Sequence, residues 1–308
     1  LSKDYFEVMN LSQHDKRTIF SQIEKGIEVN KKKLQELIIT EIKFTQKDAE
    51  KEIERACKTF ALAKEHAGFT VVKKTKLSEK VIIEKRISRG PLLAITPFSS
   101  PLSSPAHKIV LGILSGTSIL FKPSRFARSV SNLLFQIIST ATSGKYVYLL
   151  TDTNEQELNS IVSDERIGII SFTGKYETGK KIIRLGGIKK YHMELDGGNS
   201  PVIFTPEYAN YNDELMERLI DGIMVKNGQR CVSIKHIFID SKNENFIKKM
   251  QDTMLSLKKE IEKDFQRRKR TILGPLMTSE QAQNTESSIQ TILQFAKQYI
   301  PLIPLRRE

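Results

Sequence analysis

Short apolar segments alternate with helix-like segments from Pro91 to Leu195, and this alternation constrains the fold more than any other feature of the sequence. Five of the apolar segments have the length and composition of buried strands. They are Pro91–Thr96, Ser118–Lys122, Tyr146–Leu150, Ile167–Phe172 and Tyr191–Leu195. Helices of about a dozen residues between such strands are typical of βαβ units. The pattern therefore predicts a parallel sheet that is covered on both faces and binds ligands at the carboxyl ends of its strands.

The segments on either side of this alternation predict further elements. Residues 12–67 repeat apolar side chains at spacings near three and four without a proline, which predicts helices. Val81–Ile87 has the composition of a strand. After Leu195, strands are predicted at Pro201–Phe204 and Ile234–Ile239, with a helix over Asp213–Val225 between them. The length of 308 residues favours about two domains.

The composition restricts the class of protein. With 39% hydrophobic and 28% charged residues, the chain is predicted to be globular rather than disordered. We find no apolar run of about 18 residues, so we expect no membrane span. Two cysteines, Cys57 and Cys231, cannot form a disulfide framework, which favours a reducing compartment, the cytoplasm. No Cys/His cluster has the spacing of a zinc site, so no metal is expected.

The net charge of +13 raises the question of an anionic partner such as a nucleic acid. Most of the basic excess is scattered along the sequence, and the one dense run is Arg267–Arg270. We interpret the charge as a solvated basic surface. Because aromatic and basic residues do not interleave into a stacking platform, we expect no nucleic-acid partner.

Three junctions between predicted elements have residues suited to chemistry. They are Ile95–Pro101, Phe172–Gly179 and Asn227–Ser233. At the second, Gly174 precedes a helix whose first N–H groups suit a phosphate, although an ordinary tight turn explains the pattern equally well. At the third, Cys231 follows Arg230 in a polar stretch that would favour a reactive thiolate, although a lone cysteine is more often a small core residue. Cys57 lies in a helical stretch and is predicted to be structural.

Six short motifs, taken in their order and spacing, resemble the aldehyde dehydrogenase superfamily. They are Ile95–Phe98, Phe121–Ser124, Ser171–Gly174, Met193–Leu195, Gly197–Pro201 and Gly228–Cys231. Gly274–Leu276 is similar to a further family motif that precedes a late helix. The resemblance covers nearly the whole chain. It implies an α/β fold in which a Rossmann-like parallel-sheet cofactor domain is joined to an α/β catalytic domain.

The resemblance also implies a division of the chain. Residues 1–78 would form the N-terminal helical part of the cofactor domain, and residues 79–90 an oligomerisation-type strand. Residues 91–195 would form the dinucleotide-binding domain and residues 196–308 the catalytic domain. The family continues past the last residue of this sequence, so we expect that catalytic domain to be incomplete here. Family members are usually oligomers, which implies a homo-oligomer, a dimer or tetramer, formed through the strand at Val81–Arg86.

The family's reaction is the oxidation of an aldehyde to a carboxylic acid with NAD or NADP. By resemblance, the Cys231 thiolate attacks the aldehyde to form a thiohemiacetal, and a thioester follows. Glu194 matches the base that activates water to hydrolyse the thioester, a role that needs a pKa tuned toward neutrality. Ser99 occupies the place of the family asparagine whose amide helps to hold the oxyanion.

The resemblance places the cofactor along the predicted sheet edge. Lys122 matches the family lysine that binds the adenosine ribose. Arg125 stands where NAD-preferring members often have Glu, and since a guanidinium suits a phosphate, we expect tolerance of, or preference for, NADP. The remaining cofactor-binding candidates are Ile95, Thr96, Pro97, Phe98, Ser124, Phe172, Gly174, Lys175, Gly179 and Leu195.

Several departures from the family pattern favour a second interpretation. Ser99 replaces Asn, Lys175 replaces Ser, and Asp196 is inserted into the family's Glu-Leu-Gly-Gly. The family's later Glu-x-Phe-Gly-Pro motif is not found in this sequence. The alternative is therefore a catalytically impaired member that binds a nucleotide or a partner without turnover. CoA-acylating relatives usually lack the Glu base, so Glu194 argues against that chemistry.

Overall fold

The computed structural model describes residues 2–68, 72–85, 87–197, 200–205, 213–267 and 272–294. The chain divides into two compact units. The first takes Leu1–Ile42 and Ala49–Asp196, and the second takes Lys43–Asp48 and Gly197–Glu308. The functional roles predicted for residues 1–78, 79–90, 91–195 and 196–308 remain predictions.

Helices occupy most of the N-terminal region, as predicted for residues 12–67. They are α1 (Ser2–Met9), α2 (Gln13–Val29), α3 (Lys31–Leu37), a π-helical turn (Ile38–Ile42) and α4 (Gln46–Glu65). Helix α2 begins at a capping box, in which the Ser12 hydroxyl accepts from the Asp15 amide and the Asp15 carboxylate accepts from the Ser12 amide. Cys57 on α4 is buried, and its burial, followed by its hydrogen bond with Glu28, raises its pKa to about 12.

A β-hairpin follows these helices, formed by β1 (Val72–Leu77) and β2 (Lys80–Lys85) in antiparallel register. The predicted strand at Val81–Ile87 is confirmed as far as Lys85, and Arg86 lies outside the described residues. Strand β1 was not predicted and falls in the range 1–78 that was expected to be helical. Its sequence carries three lysines among six residues, which weakens the apolar alternation by which a strand is recognised.

A five-stranded parallel sheet forms the centre of the first unit and confirms the predicted α/β fold. Its strands are β3 (Leu92–Ile95), β4 (Ile119–Lys122), β5 (Val147–Leu149), β6 (Ile169–Gly174) and β7 (Lys190–Leu195). The helices between them are α5 (Ser103–Leu114), α6 (Arg128–Ala141), α7 (Glu155–Ser163) and α8 (Tyr176–Gly186). The strand order is β5-β4-β3-β6-β7, so the chain starts in the middle, builds one side and then the other. The strand order reverses between β3 and β6, which is where sheets of this class bind ligands.

The second unit is built around a smaller parallel pair. Its elements are β8 (Pro201–Phe204), α9 (Asp213–Met224), a 3-10 turn (Val225–Gly228), β9 (His236–Ile239), α10 (Glu244–Gln266) and α11 (Ser279–Leu293). The rings of Phe204 and Phe246 lie 4.7 Å apart in its apolar core, beside Met216 and Leu219. Among the described residues of both units, no helix is long and apolar enough to span a bilayer.

Candidate active site

The carboxyl ends of the central strands bring most of the predicted cofactor residues to one edge of the sheet. Ile95 is in register with Lys122 of β4 on one side and with Phe172 of β6 on the other. Gly174 is in register with Leu195 at the end of β7. Thr96 continues the ladder, since its amide donates to the Lys122 carbonyl at 3.1 Å. The edge therefore lies at the reversal of strand order.

The glycines at this edge are needed for packing. A side chain at Gly174 would come within 2.6 Å of the buried Phe172 ring. A side chain at Gly179 would overlap the Leu195 methyl groups. The sequence analysis explained Gly174 by the approach of a phosphate, whereas the structure supplies a packing reason for both glycines.

Helix α8 starts beside Gly174 and presents its first amide groups at this edge. Lys175 stands at the N-cap and makes no side-chain cap hydrogen bond to the helix. The first N–H groups of an α-helix have no intrahelical acceptor, and they carry the positive end of the helix dipole. This helix start is therefore suited to an anionic group.

Three cations gather where β4 ends. Burial lowers the pKa of Lys122, and the positive charges of Arg125 and Arg128 lower it further, while Asp152 opposes them. Arg128 forms an ion pair with Asp152. Repulsion among these cations is relieved by a bound anion, so the cluster fits a phosphorylated ligand.

An aromatic pair adjoins the cation cluster. The rings of Phe98 and Phe126 meet edge to face with centroids 6.0 Å apart, and the Arg125 guanidinium lies 4.9 Å from the Phe126 centroid. Ser124 accepts a hydrogen bond from the Phe126 amide at 3.3 Å and so caps the short helical turn. Phe126 was not predicted, because nothing in its local sequence distinguishes it from a core residue. Pro97 is half-buried between Thr96 and Phe98.

The predicted base, Glu194, belongs to a polar network on one face of β6 and β7. Thr173, its register partner, donates a hydrogen bond to its carboxylate. The ammonium of Lys108, on α5, lies 3.6 Å from the same carboxylate and donates to the Ser171 hydroxyl at 2.7 Å. Ser171 also shares a hydrogen bond with His192 Nδ1 at 3.0 Å.

The network lowers the pKa of Glu194. Burial alone would raise it, but the Thr173 hydrogen bond, the charges of Lys108 and His192 and the Lys108 hydrogen bond together outweigh that effect. Burial lowers the pKa of Lys108, and the Glu194 charge partly offsets this. Lys108 was missed by the sequence analysis, which identified no candidate functional residue in α5. A lysine among apolar residues in His107–Leu114 was the available signal.

The inserted Asp196 does not displace Glu194 from its strand. Thr173–Glu194 and Gly174–Leu195 stay in register, and the Asp196 amide extends the ladder by donating to the Gly174 carbonyl at 2.8 Å. Asp196 adopts a left-handed conformation with φ 53°, so the extra residue is accommodated after the strand ends. Ser99 is half-buried in the loop that joins β3 to α5.

In the second unit, Cys231 follows an unusual backbone turn. Lys226, Asn227 and Gly228 all have positive φ, at 55°, 59° and 69°. Three consecutive left-handed residues are rare, because L-residues normally visit this conformation singly. Cys231, three residues after Gly228, is exposed.

Two further contacts involve the segment from Lys226 to Cys231. The amide of Lys226 donates to the buried Asp48 carboxylate at 3.0 Å. A side chain at Gly197 would overlap the Cys231 backbone, so this member of the Gly-Gly motif permits a close approach. Gly198 and Asn199, from the same motif, lie outside the described residues.

The sheet order, with an uncapped helix start and a cation cluster at its ligand-binding edge, defines a Rossmann-like nucleotide-binding fold. The chain belongs to the aldehyde dehydrogenase family, whose sequence profile matches residues 2–299.

Individual relatives agree with this assignment. The chain is 31% identical over 300 residues to a lactaldehyde dehydrogenase of Methanocaldococcus jannaschii, an alignment that covers 94% of this chain and 62% of the relative. It is 29% identical to aspartate-semialdehyde dehydrogenase 1 of Pseudomonas canavaninivorans, covering 92% of this chain and 60% of the relative. The chain thus spans about three fifths of the length of the curated relatives it matches.

Two solved structures superpose on this chain over most of its length. Glyceraldehyde-3-phosphate dehydrogenase GapN of M. jannaschii DSM 2661, complexed with NADP, superposes with a TM-score of 0.85 at 26% identity, covering 99% of this chain and 66% of that one. Lactaldehyde dehydrogenase of Escherichia coli superposes with a TM-score of 0.84 at 19% identity, covering 95% and 61%, which supports the fold.

Proposed function

We propose that this chain carries the cofactor-binding domain (91–195) and the nucleophile-bearing part of the catalytic domain (196–308) of an NAD(P)-dependent aldehyde dehydrogenase. The substrate class is a small aldehyde and the product is the carboxylic acid. The observation that carries the proposal is the exposed Cys231 thiol, which follows three consecutive left-handed residues. Backbone strain of this kind is concentrated at functional sites.

The residues of the sheet edge fit a dinucleotide. The α8 start suits a pyrophosphate, Lys122 and Ser124 suit the adenosine ribose, and the cation cluster suits a further phosphate. Ile95, Thr96 and the half-buried Pro97 and Phe98 would line the apolar side of the site. When bound, NAD or NADP supplies the hydride acceptor for the oxidation.

Covalent capture is assigned to Cys231. Its thiolate sulfur forms a bond to the aldehyde carbon, and the carbonyl electron pair moves to the oxygen, which gives a thiohemiacetal. The Cys231 amide and the Ser99 hydroxyl would hold the oxyanion. With NAD or NADP bound as hydride acceptor, oxidation of this intermediate would leave a thioester on Cys231.

Hydrolysis is assigned to Glu194. Its carboxylate takes a proton from water, the hydroxide oxygen bonds to the thioester carbon, and the carbon–sulfur bond breaks to release the acid and the thiolate. Because Lys108 and Thr173 hold the carboxylate ionised, it can accept that proton at neutral pH. The lowered pKa also makes it a weaker base than one tuned near 7.

The reaction is tested by absorbance at 340 nm with NAD or NADP and a panel of aldehydes. We expect a signal that is lost in Cys231→Ala and after iodoacetamide treatment. Cys57→Ala is the matched control and should keep the signal, since Cys57 is buried in the N-terminal helices. Turnover that survives Cys231→Ala would refute the mechanism.

A second candidate function is binding of a nucleotide or partner without turnover. The lowered pKa of Glu194 and the serine at position 99 favour it, since they weaken the base and one oxyanion donor. Cofactor binding without oxidation of any aldehyde, unchanged by Cys231→Ala, would support this function over the enzyme.

For the cofactor we propose tolerance of, or preference for, NADP, on the basis of Arg125. Its exposed guanidinium belongs to the cation cluster, where a carboxylate would instead repel a ribose phosphate. Arg125→Glu should weaken NADP binding more than NAD binding. Arg184→Glu, in the last turn of α8, is the matched charge control. Tighter NAD than NADP binding by the unmodified protein would contradict the proposal.

For assembly we propose a homo-oligomer, a dimer or tetramer, formed through the β1–β2 hairpin. Val81 and Ile83 share a face of β2 and are 56% and 60% exposed, which is typical of an interaction surface. Ile83→Lys should lower the mass measured by light scattering, whereas Ile188→Lys, at another exposed isoleucine, should not. An unchanged mass in Ile83→Lys would contradict the proposal.

For localisation we propose the cytoplasm, since both cysteines are free thiols. We also propose that the protein has no nucleic-acid partner. Duplex binding with a steep salt dependence would contradict that proposal.

A further inference from the structure

The left-handed turn before Cys231 needs support from outside its own residues. Left-handed backbone is unfavourable for Lys226 and tolerated by Asn227, while Gly228 adopts it freely. Such a conformation persists only where surrounding contacts over-determine it. The side chains of Asn227 and Gln229 provide contacts of this kind.

The Asn227 amide is buried and makes three hydrogen bonds. Its Nδ2 donates to the carbonyls of Lys43 at 3.0 Å and Pro275 at 3.2 Å. Its Oδ1 accepts from the Gly274 amide at 2.7 Å. Both donor hydrogens and one acceptor lone pair are therefore used, and a side chain without a terminal amide could not replace them all.

Gln229 makes a second pair of bonds to the same segment. Its Oε1 accepts from the Met277 amide at 3.0 Å, and its Nε2 lies 3.5 Å from the Pro275 carbonyl. The two amide side chains thus make four hydrogen bonds to the backbone of residues 274–277.

Glycine is the only residue type that fits at position 274 between these hydrogen bonds. A Cβ at position 274 would overlap the Lys43 carbonyl and lie 2.8 Å from Asn227 Nδ2. The Gly-Pro-Leu motif therefore has a local physical reason, which is the passage of its backbone between the Asn227 amide and the Lys43 carbonyl.

We propose that Asn227 and Gln229 are positioning residues, which fasten the Cys231 loop to the backbone of residues 274–277 and so hold the thiol in its attacking position. We call this set of hydrogen bonds the amide clamp. The existence of the clamp rests on the described contacts alone. Its effect on catalysis also rests on the proposed function. Asn227 and Gln229 act through the loop and do not bond to the reacting atoms.

Hydrogen–deuterium exchange tests the clamp without any need for activity. Asn227→Asp keeps the side-chain oxygen that accepts from the Gly274 amide and loses the donors to the Lys43 and Pro275 carbonyls. Gln229→Glu loses the donor to the Pro275 carbonyl. We expect exchange in peptides covering 226–231 and 274–277 to rise together by roughly tenfold in either variant. Asn243→Asp, which alters an amide donating to the Thr205 carbonyl in the same unit, is the matched control and should leave both peptides unchanged.

Asn227→Gly separates the clamp from simple backbone preference. Glycine favours the left-handed conformation, so it removes the amide without adding strain. If Asn227 served only that conformation, the glycine variant would exchange like the unmodified protein, and that result would overturn the clamp.

Steady-state kinetics tests the consequence for catalysis. With the clamp loosened, kcat for aldehyde oxidation should fall by about tenfold or more while KM changes little, because the loss is in the orientation of the nucleophile. Variants that loosen both peptides but keep kcat would overturn the positioning role. If the unmodified protein oxidises no aldehyde, the proposed function fails by itself, and the exchange data still decide whether the clamp exists.

Discussion

Replacing Lys108 by methionine should make Glu194 a weaker acid. The Lys108 ammonium lies 3.6 Å from the Glu194 carboxylate, and its charge stabilises the ionised form. Methionine has a similar length and no charge. Ser171 keeps His192 Nδ1 as a partner, so the change leaves no orphaned hydroxyl at that position.

The size of the effect follows from distance and exposure. Two unit charges at this separation interact by about 5 kcal/mol at an effective dielectric constant of 20, which is an upper limit. The Glu194 side chain is 55% exposed, and pairs with one solvated partner are typically worth about 1 kcal/mol or less. The acid dissociation constant of Glu194 should therefore fall by up to about fivefold. Global stability should change little, because burying the ammonium is itself unfavourable.

The assay is a carbon-13 NMR titration of the glutamate carboxyl groups, with Glu194→Gln used to assign the resonance. We expect the Glu194 midpoint to move to higher pH in Lys108→Met. Lys180→Met removes a half-buried lysine on α8 that pairs with Glu177, and it should leave the Glu194 midpoint in place. An unchanged or lower midpoint in Lys108→Met would refute the reasoning.

Three further predictions concern other parts of the chain. At pH 8, iodoacetamide should label Cys231 alone, because a thiol with the pKa of Cys57, about 12, is ionised in only about one molecule in 10⁴; modification of Cys57 in peptide mass spectra would contradict this. Gly168→Ala should lower the free energy of unfolding in urea by about 1–3 kcal/mol, since the added methyl group overlaps the Arg89 carbonyl; equal stability would disprove the overlap. The pKa of Asp164 is lowered to about 2 by its arginine neighbour, so its stabilising effect is present above about pH 4 and is lost as the pH falls toward 2. Asp164→Asn should reduce that acid-dependent loss in thermal melts, and an identical pH profile would count against it.

The sheet and its ligand-binding edge could be predicted because parallel strands are buried on both faces. Leu92, Leu93 and Ala94 of β3 are all buried, and such a strand reads as an uninterrupted apolar run. The carboxyl ends of these runs then mark the edge without any knowledge of side-chain contacts. The hairpin strand β1 could not be predicted because three of its six residues are lysines, of which Lys74 and Lys76 are exposed, and its sequence has no apolar pattern.

The parts of the site that escaped prediction depend on contacts distant in sequence. Lys108 meets Ser171 across 63 positions of sequence, and the periodicity of α5 says only that this face is buried. The left-handed turn could not be predicted, because Lys226 and Asn227 are not glycines. Their conformation is imposed by distant partners such as Asp48. Whether the inserted Asp196 shifts Glu194 could be decided only from the register of β6 and β7, which the sequence alone does not supply.

The second unit includes a segment synthesised long before the rest of it. Residues Lys43–Asp48 supply the Asp48 carboxylate to Lys226 and the Lys43 carbonyl to Asn227, although about 150 positions separate them from Gly197. A cut after Asp196 would therefore not yield two self-sufficient fragments, because the C-terminal piece would lack anchors for the turn beside its cysteine. On the ribosome, residues 43–48 emerge long before residues 226 and 227, so these anchoring contacts can form only after the later segment has been synthesised.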